Sequence, residues 1–441
     1  MSARPEIAFV VQRYGEGVTG GSESLARAVA ERLAGDHRIT VFTSCARDYV
    51  TWRNELPAGL ERLAGVDVRR FPSESERDLV AFNAFAEPLY ARAFAAAGAA
   101  ATATAPARTA GAAPGATAAA GQGATGSGAT GSGPGPPSEA EEHEFLRSQG
   151  PEVPRLVEAL AAEQDRFAAF VFFTYLYYPT YWGLRAPGVA ERAALVPTTH
   201  DEPPLRFAVY REVFARPRAF GFLTAAEQAL VERRFEPGER TGVLAGMGVD
   251  VVAPREAEAA RARLGLDRPY AIYAGRIDAG KGCAEMLSHH ERYRRARPEG
   301  LDLVLIGRLA MPEPRQPGVR YLGFLPEDDK AAALAGARAV VCPSPYESLS
   351  IALLEGLALG TPGLVNAGSE VLKEHALRSG AALYYEDGDE YAESLDLVAR
   401  DESLHAALAA SGRRYVDAEY RWDVVLDRWR RLIRAAAGGR I

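Results

Sequence analysis

Two glutamates stand eight positions apart in PSPYESLSIALLEGLALGTP (Pro343 to Pro362), Glu347 and Glu355, with only small and apolar residues between them. A carboxylate accepts hydrogen bonds from vicinal hydroxyls, so a pair held at a fixed separation suits two polyol groups of one ligand. Gly360 with Pro362 two residues on is a helix stop, and Pro345 with Ser348 or Ser350 is a start, which predicts a helix over 348–359. At ~1.5 Å per residue the two glutamates lie about 12 Å apart, the first just ahead of the helix and the second well inside it. Between them come the N–H groups of Ser348, Leu349 and Ser350. Amides left free at a helix start attract phosphate. A ligand with a polyol at one end, a diphosphate in the middle and a ribose at the other fits this order, and a nucleotide-sugar is such a ligand.

Diphosphate calls for fixed cations as well. Arg276 and Lys281 stand in the loop YAGRIDAGKG, after a strand-like run and among glycines that let a backbone approach closely. His200 ends the apolar run AALVPTTH, where a strand terminus faces a cleft. The aromatic run FFTYLYYPTYW begins in a strand; most of it reads as core, with Tyr175, Tyr177 and Tyr178 as candidates to stack on an acceptor. GEGVTG (Gly15 to Gly20) fits a dinucleotide fingerprint by letter. Arg13 and Tyr14 intervene after the strand, however, and the second strand ends in FTSC without the acid that would hold a ribose, so NAD is not expected. The Asp387 and Asp389 pair reads as a polar turn after AALYY, not a metal site.

These residues need a scaffold of parallel strands with loops at one edge. EIAFVVQ, a glycine loop and the helical SLARAVAERLA open the chain, and HRITVFTS and GVDVRRF continue the alternation. A second, self-similar half begins at RPYAIYAGRIDAGKG and runs through LDLVLIGRL, GVRYLGFL, ARAVVCPS and TPGLVN. The expectation is α/β, two doubly wound domains: 1–252, with a flexible low-complexity insertion over about 95–138, then 253–415, and a terminal helix over 416–441. The terminal RWRRLIR is one short basic segment, so packing back across the first domain is favoured over peripheral membrane contact.

With 47% hydrophobic and 25% charged residues the chain reads as globular, and a net charge of −7 argues against nucleic acid as a partner. No apolar run is long enough for a transmembrane helix, and the N-terminus enters a strand-like run directly, so a cytoplasmic location is expected. Three scattered cysteines (Cys45, Cys283, Cys342) indicate packing thiols, with neither disulfides nor zinc.

The stretch from about Pro269 to Asp389 resembles the donor-binding domain of retaining glycosyltransferases of family 4, which have two Rossmann-like domains in the GT-B arrangement. The motifs that carry the resemblance are GRIDAGKG, LVLIG ending at Gly307, LGFLPEDD, and above all the Glu, seven residues, Glu pattern of ESLSIALLEGLALGTP. The resemblance implies that Arg276 and Lys281 hold the donor diphosphate, Glu347 faces the donor sugar and Glu355 binds the ribose. It further implies that Gly307 and the Ser348 to Ser350 backbone line the donor site, that Phe324 lies near the base, that Gly20 and Gly21 belong to a loop that closes on donor and acceptor, and that His200 lies near the sugar. Transfer from a UDP- or GDP-sugar with retention, without metal or resident cofactor, is the implied activity. A GT-B-like epimerase or phosphorylase, an NAD-dependent enzyme and a non-catalytic nucleotide-sugar sensor are the alternatives. The chain departs from the family where many members have a glycine-rich GFGLP-type stretch, which leaves the identity of the sugar open.

Overall fold

The computed structural model describes residues 4–104, 135–250 and 256–441. The first sheet holds β1 (Glu6–Val10), β2 (Arg38–Ser44), β3 (Gly59–Leu63), β4 (Val66–Phe71), β5 (Ala169–Phe173), β6 (Ala193–Val196), β7 (Ala219–Phe222) and β8 (Thr241–Leu244). Its order is β3-β4-β2-β1-β5-β6-β7-β8, parallel throughout except that β3 runs antiparallel to β4. The second sheet holds β9 (Tyr270–Ala274), β10 (Asp302–Ile306), β11 (Val319–Tyr321), β12 (Ala339–Cys342), β13 (Gly363–Asn366) and β14 (Ala382–Tyr385). It is parallel throughout, in the order β11-β10-β9-β12-β13-β14. These are two Rossmann-like α/β domains.

Central strands such as AFVFF of β5 and DLVLI of β10 are buried at every position, as expected where helices cover both faces of a parallel sheet. The edge strand β3, GLERL, is exposed along most of its length and was not expected from its polar composition. In each sheet the strand order reverses once, between β1 and β5 in the first and between β9 and β12 in the second. Loops leaving the C-terminal ends of strands diverge at such a point and open a crevice. The glycine loop after β1, the GRIDAGKG loop after β9 and the PSPYESLS loop after β12 all sit there.

The helix Trp422–Ala437 crosses back to the first sheet. Trp429 stacks on Phe173 with ring centroids 5.8 Å apart and donates its indole N–H to the Gly246 carbonyl at 3.1 Å. The helix Glu402–Glu419 still packs on Ile351–Leu359 of the second domain, so the return crossing falls at Tyr420 and Arg421, not at 416. The helix Leu79–Thr104 continues through the region where low complexity was expected to begin. The rest of that expected insertion, from 105 to 134, lies outside the described residues, and Ser138 opens the helix Glu139–Gln149 with a capping box. All three cysteines are buried and free. Among the described residues no helix is long and apolar enough to cross a membrane.

Candidate functional site

Because β9 and β12 are direct neighbours, Ala271 opposite Ala339, the loops that follow them meet although far apart in sequence. Gly282 sits at φ 72°, and a Cβ there would lie 2.3 Å from the Pro343 carbonyl oxygen; only glycine lets the two loops touch. Asp278 organises the first loop, one oxygen accepting the Lys281 N–H at 2.9 Å and the other pairing with the Arg276 guanidinium. Lys281 Nζ then reaches across to Glu347 Oε1 at 2.8 Å. Gly307, after β10, is held against Gly275 so closely that a Cβ would come within 2.0 Å of its carbonyl oxygen. Phe324, three residues beyond β11's end in the same cluster of loops, is 80% exposed and presents a bare ring to solvent.

The helix begins at Ile351, not at 348, and ends at Leu359. Ser350 is its N-cap in the left-handed region (φ 65°, ψ 73°), so Ser348, Leu349 and Ser350 form the turn ahead of it. No acceptor among the described residues takes the amides of these three. Glu355 lies one turn in, with Oε1 3.0 Å from Lys330 Nζ, which also meets Glu327 at 2.8 Å. Burial pushes the Glu355 carboxyl above its ordinary range, and Lys330 opposes that only in part.

His200 of the first domain reaches this edge: its ring lies 5.5 Å from that of Tyr346, the neighbour of Glu347. Its Nε2 is 3.4 Å from Glu202 Oε2, while Nδ1 is buried without a hydrogen-bond partner. Burial pulls the imidazole pKa down, but attraction by Glu202 outweighs it and the net displacement is upward. The other Glu202 oxygen accepts the Tyr175 hydroxyl at 2.8 Å. The strand-end turns that carry Tyr175 and His200 are joined at Thr174 and Thr198, both left-handed (φ 68° and 52°), whose hydroxyls lie 3.1 Å apart.

Glu227, in the helix Ala225–Phe235, was not foreseen. It is fully buried and accepts the Thr199 and Leu223 amides at 2.6 Å each, tying the His200 turn to that helix. Burial pushes its carboxyl up to about 7 despite these two donors. A raised acid pKa means the folded chain binds a proton that the unfolded chain releases, so stability falls as pH rises from about 4.5 to about 7. Glu227→Gln should flatten that part of the stability profile, measured by urea unfolding at a series of pH values; an unchanged slope would show that Glu227 does not titrate there.

The glycine loop after β1 is filled by protein. Arg13 donates to Glu23 Oε1 at 2.9 and 2.6 Å in a buried pair, and a Cβ on Gly20 would lie 2.2 Å from the same carboxylate; Gly21, which starts the helix, is open. From the neighbouring loop Tyr49 bridges the domains, accepting from Arg276 Nη1 at 2.6 Å.

The tyrosine expectation needs correction. Tyr175 is completely buried, its ring packed on Tyr210 and Phe214, and offers no face to an acceptor. Tyr178 is also buried, against Trp182. Tyr177 is half-buried, edge-on to Trp52. Asp387 stands in the bend after AALYY and caps the helix Gly388–Arg400, its carboxylate accepting from the Asp389 and Glu390 amides. The structure thus gathers His200, Lys281, Glu347, Arg276 and the Ser348 to Ser350 turn, with Glu355 one helical turn away. Glu202 was visible two residues after His200 in HDEPP, whereas Tyr49, Tyr346 and Glu227 carried no local signal.

Residues 254–415 match the family model described as Glycosyl transferases group 1. Over 204 residues the chain is 26% identical to the GDP-mannose-dependent monoacylated alpha-(1-6)-phosphatidylinositol monomannoside mannosyltransferase of Corynebacterium glutamicum, covering 41% of this chain and 53% of that protein. Over 246 residues it is 28% identical to the D-inositol 3-phosphate glycosyltransferase of Frankia alni, covering 50% and 60%. The chain therefore spans little more than half the length of these curated relatives. In fold it is similar along its length to the sucrose-phosphate synthase of Thermosynechococcus elongatus (17% identity, TM-score 0.66, 98% of each chain). It is likewise similar to HepE of Anabaena in complex with UDP and glucose (13% identity, TM-score 0.62, 97% of this chain and 98% of that one). The architecture is GT-B.

Proposed function

We propose that the protein is a retaining glycosyltransferase of family 4 that transfers a sugar from a UDP- or GDP-sugar to an acceptor held by the first domain. The observation that carries this reading is the meeting of Lys281, Glu347, Arg276 and the unpaired Ser348 to Ser350 amides at one switch point, opposite His200. The donor would lie along the second domain with its diphosphate on Arg276, Lys281 and the amides, its sugar on Glu347 and its ribose on Glu355. As the bond from sugar to diphosphate breaks, the leaving group gains charge, and cations and amides already in place stabilise it without reorganising. That role needs neither a metal nor a resident cofactor, and a cytoplasmic location belongs to the same reading. Glu202 favours a cationic His200, which suits a donor to a sugar hydroxyl. Arg276 must exchange its Tyr49 contact for phosphate, so the domains are expected to adjust on binding.

A thermal-shift screen against UDP, GDP, ADP, their sugar conjugates and NAD tests the reading, since a ligand that binds only the native state raises Tm. One nucleoside diphosphate and its conjugates should do so. A shift with NAD alone, or with none, would remove the assignment. Glu355→Ala should weaken binding of that diphosphate about tenfold by calorimetry, the loss of charge-assisted hydrogen bonds to a ribose; wild-type affinity would take Glu355 out of the site.

A further inference from the structure

His375 lies in the helix Glu370–Ser379, behind the turn that precedes Ile351–Leu359, and is completely buried. Its Nε2 is 2.8 Å from the Leu349 carbonyl oxygen and its Nδ1 is 3.0 Å from the Tyr415 hydroxyl. A carbonyl can only accept, so Nε2 must carry the proton. A neutral ring then offers a lone pair at Nδ1, to which Tyr415 donates; the Tyr415 oxygen in turn faces the Tyr420 hydroxyl at 3.3 Å. Burial keeps the ring neutral, lowering its pKa to about 4. The tautomer is therefore set by its partners.

A trans peptide unit is planar, with its C=O and N–H pointing in opposite directions. Once His375 holds the Leu349 carbonyl inward, the N–H of the same unit, that of Ser350, points away from the buried imidazole. Ser350 is a serine in the left-handed region, a conformation that asparagine or glycine adopts more readily and that persists only where surroundings impose it. The hydrogen bond from His375 is one such constraint.

We propose that His375 is a positioning residue for the donor diphosphate: it fixes the Leu349 to Ser350 peptide plane so that the Ser350 amide faces phosphate. This rests on the nucleotide-sugar reading above. It differs from a general packing role because it acts on phosphate alone and leaves the nucleoside end of the site untouched.

The test compares affinities, by calorimetry, for the nucleoside diphosphate that stabilises the wild type and for the corresponding nucleoside. His375→Phe keeps a ring but loses the donor, and should weaken diphosphate binding about tenfold while nucleoside binding stays unchanged. His375→Gln restores an N–H near the Nε2 position and should return within about threefold of the wild type. Ser350→Gly in the His375→Phe background should recover part of the loss, because glycine enters the left-handed region freely. If His375→Phe does not fold, Tyr415→Phe carries the test: without its hydroxyl the buried Nδ1 lone pair loses its partner and the ring is held at one end only, so diphosphate affinity should fall about threefold with nucleoside affinity intact. Unchanged diphosphate affinity in the variant that folds, an equal loss of nucleoside affinity, or a Gln variant no better than Phe would overturn the inference while leaving the functional reading standing. A wild type that binds no nucleoside diphosphate would overturn both.

Discussion

Lys281→Ala lowers turnover by about 10²- to 10³-fold at saturating donor, the loss expected when one fixed group that stabilises a developing anion is removed. Two effects add. The diphosphate loses a cation whose Nζ is anchored 2.8 Å from Glu347 and whose backbone is held by Asp278. Glu347 also loses its partner, and an unpaired carboxylate is left beside the departing negative charge, where it repels. Glu347→Gln in the Lys281→Ala background should therefore regain part of the activity lost, although Glu347→Gln alone lowers it. The check is steady-state turnover with circular dichroism on both variants. Activity within twofold of the wild type would take Lys281 out of the mechanism.

Gly282→Ala destabilises the chain by about 3 kcal/mol or more and abolishes measurable donor binding. The backbone is left-handed at φ 72°, which for alanine costs about 1–2 kcal/mol. The added Cβ would also lie 2.3 Å from the Pro343 carbonyl oxygen, and a backbone atom cannot turn aside as the end of a side chain can. Relief comes only by parting the loops after β9 and β12, which separates Lys281 from Glu347. Gly323→Ala separates the two contributions, since Gly323 has a similar φ of 73° with nothing within 4 Å of a Cβ. Its variant should show the backbone cost alone. Denaturant midpoints that fall equally for both would mean that the loops move apart freely.

Short-range signals made much of this legible. Buried parallel strands are continuous apolar runs, glycine and proline mark their ends, and the charged loop after β9 sits where a phosphate loop belongs. Glu347 and Glu355 were readable because their relation is helical spacing, although the helix begins three residues later than expected. The reason is at Ser350: a residue in the left-handed region ends the turn there, and one constraint on that turn is the hydrogen bond from His375, in another helix, to the Leu349 carbonyl. The tyrosines misled for a related reason. A strand end faces the crevice, but whether Tyr175 points into it depends on Tyr210, Phe214 and Glu202, all supplied by later segments.

The amino-acid sequence by itself determined two doubly wound halves, the strand-ending loops and the residue types that could hold a polyol, a diphosphate and a ribose, because each of these is written within a window of ten or twenty residues. Only the tertiary structure decided which of those residues meet. Strand order sets β9 beside β12 and so joins Lys281 to Glu347, 66 residues away. Long-range burial places Glu227 beneath the His200 turn and His375 behind Leu349, and the approach of the two domains sets Tyr49 against Arg276. No local pattern encodes such pairs, since each depends on how two separately formed elements come to rest against the same core.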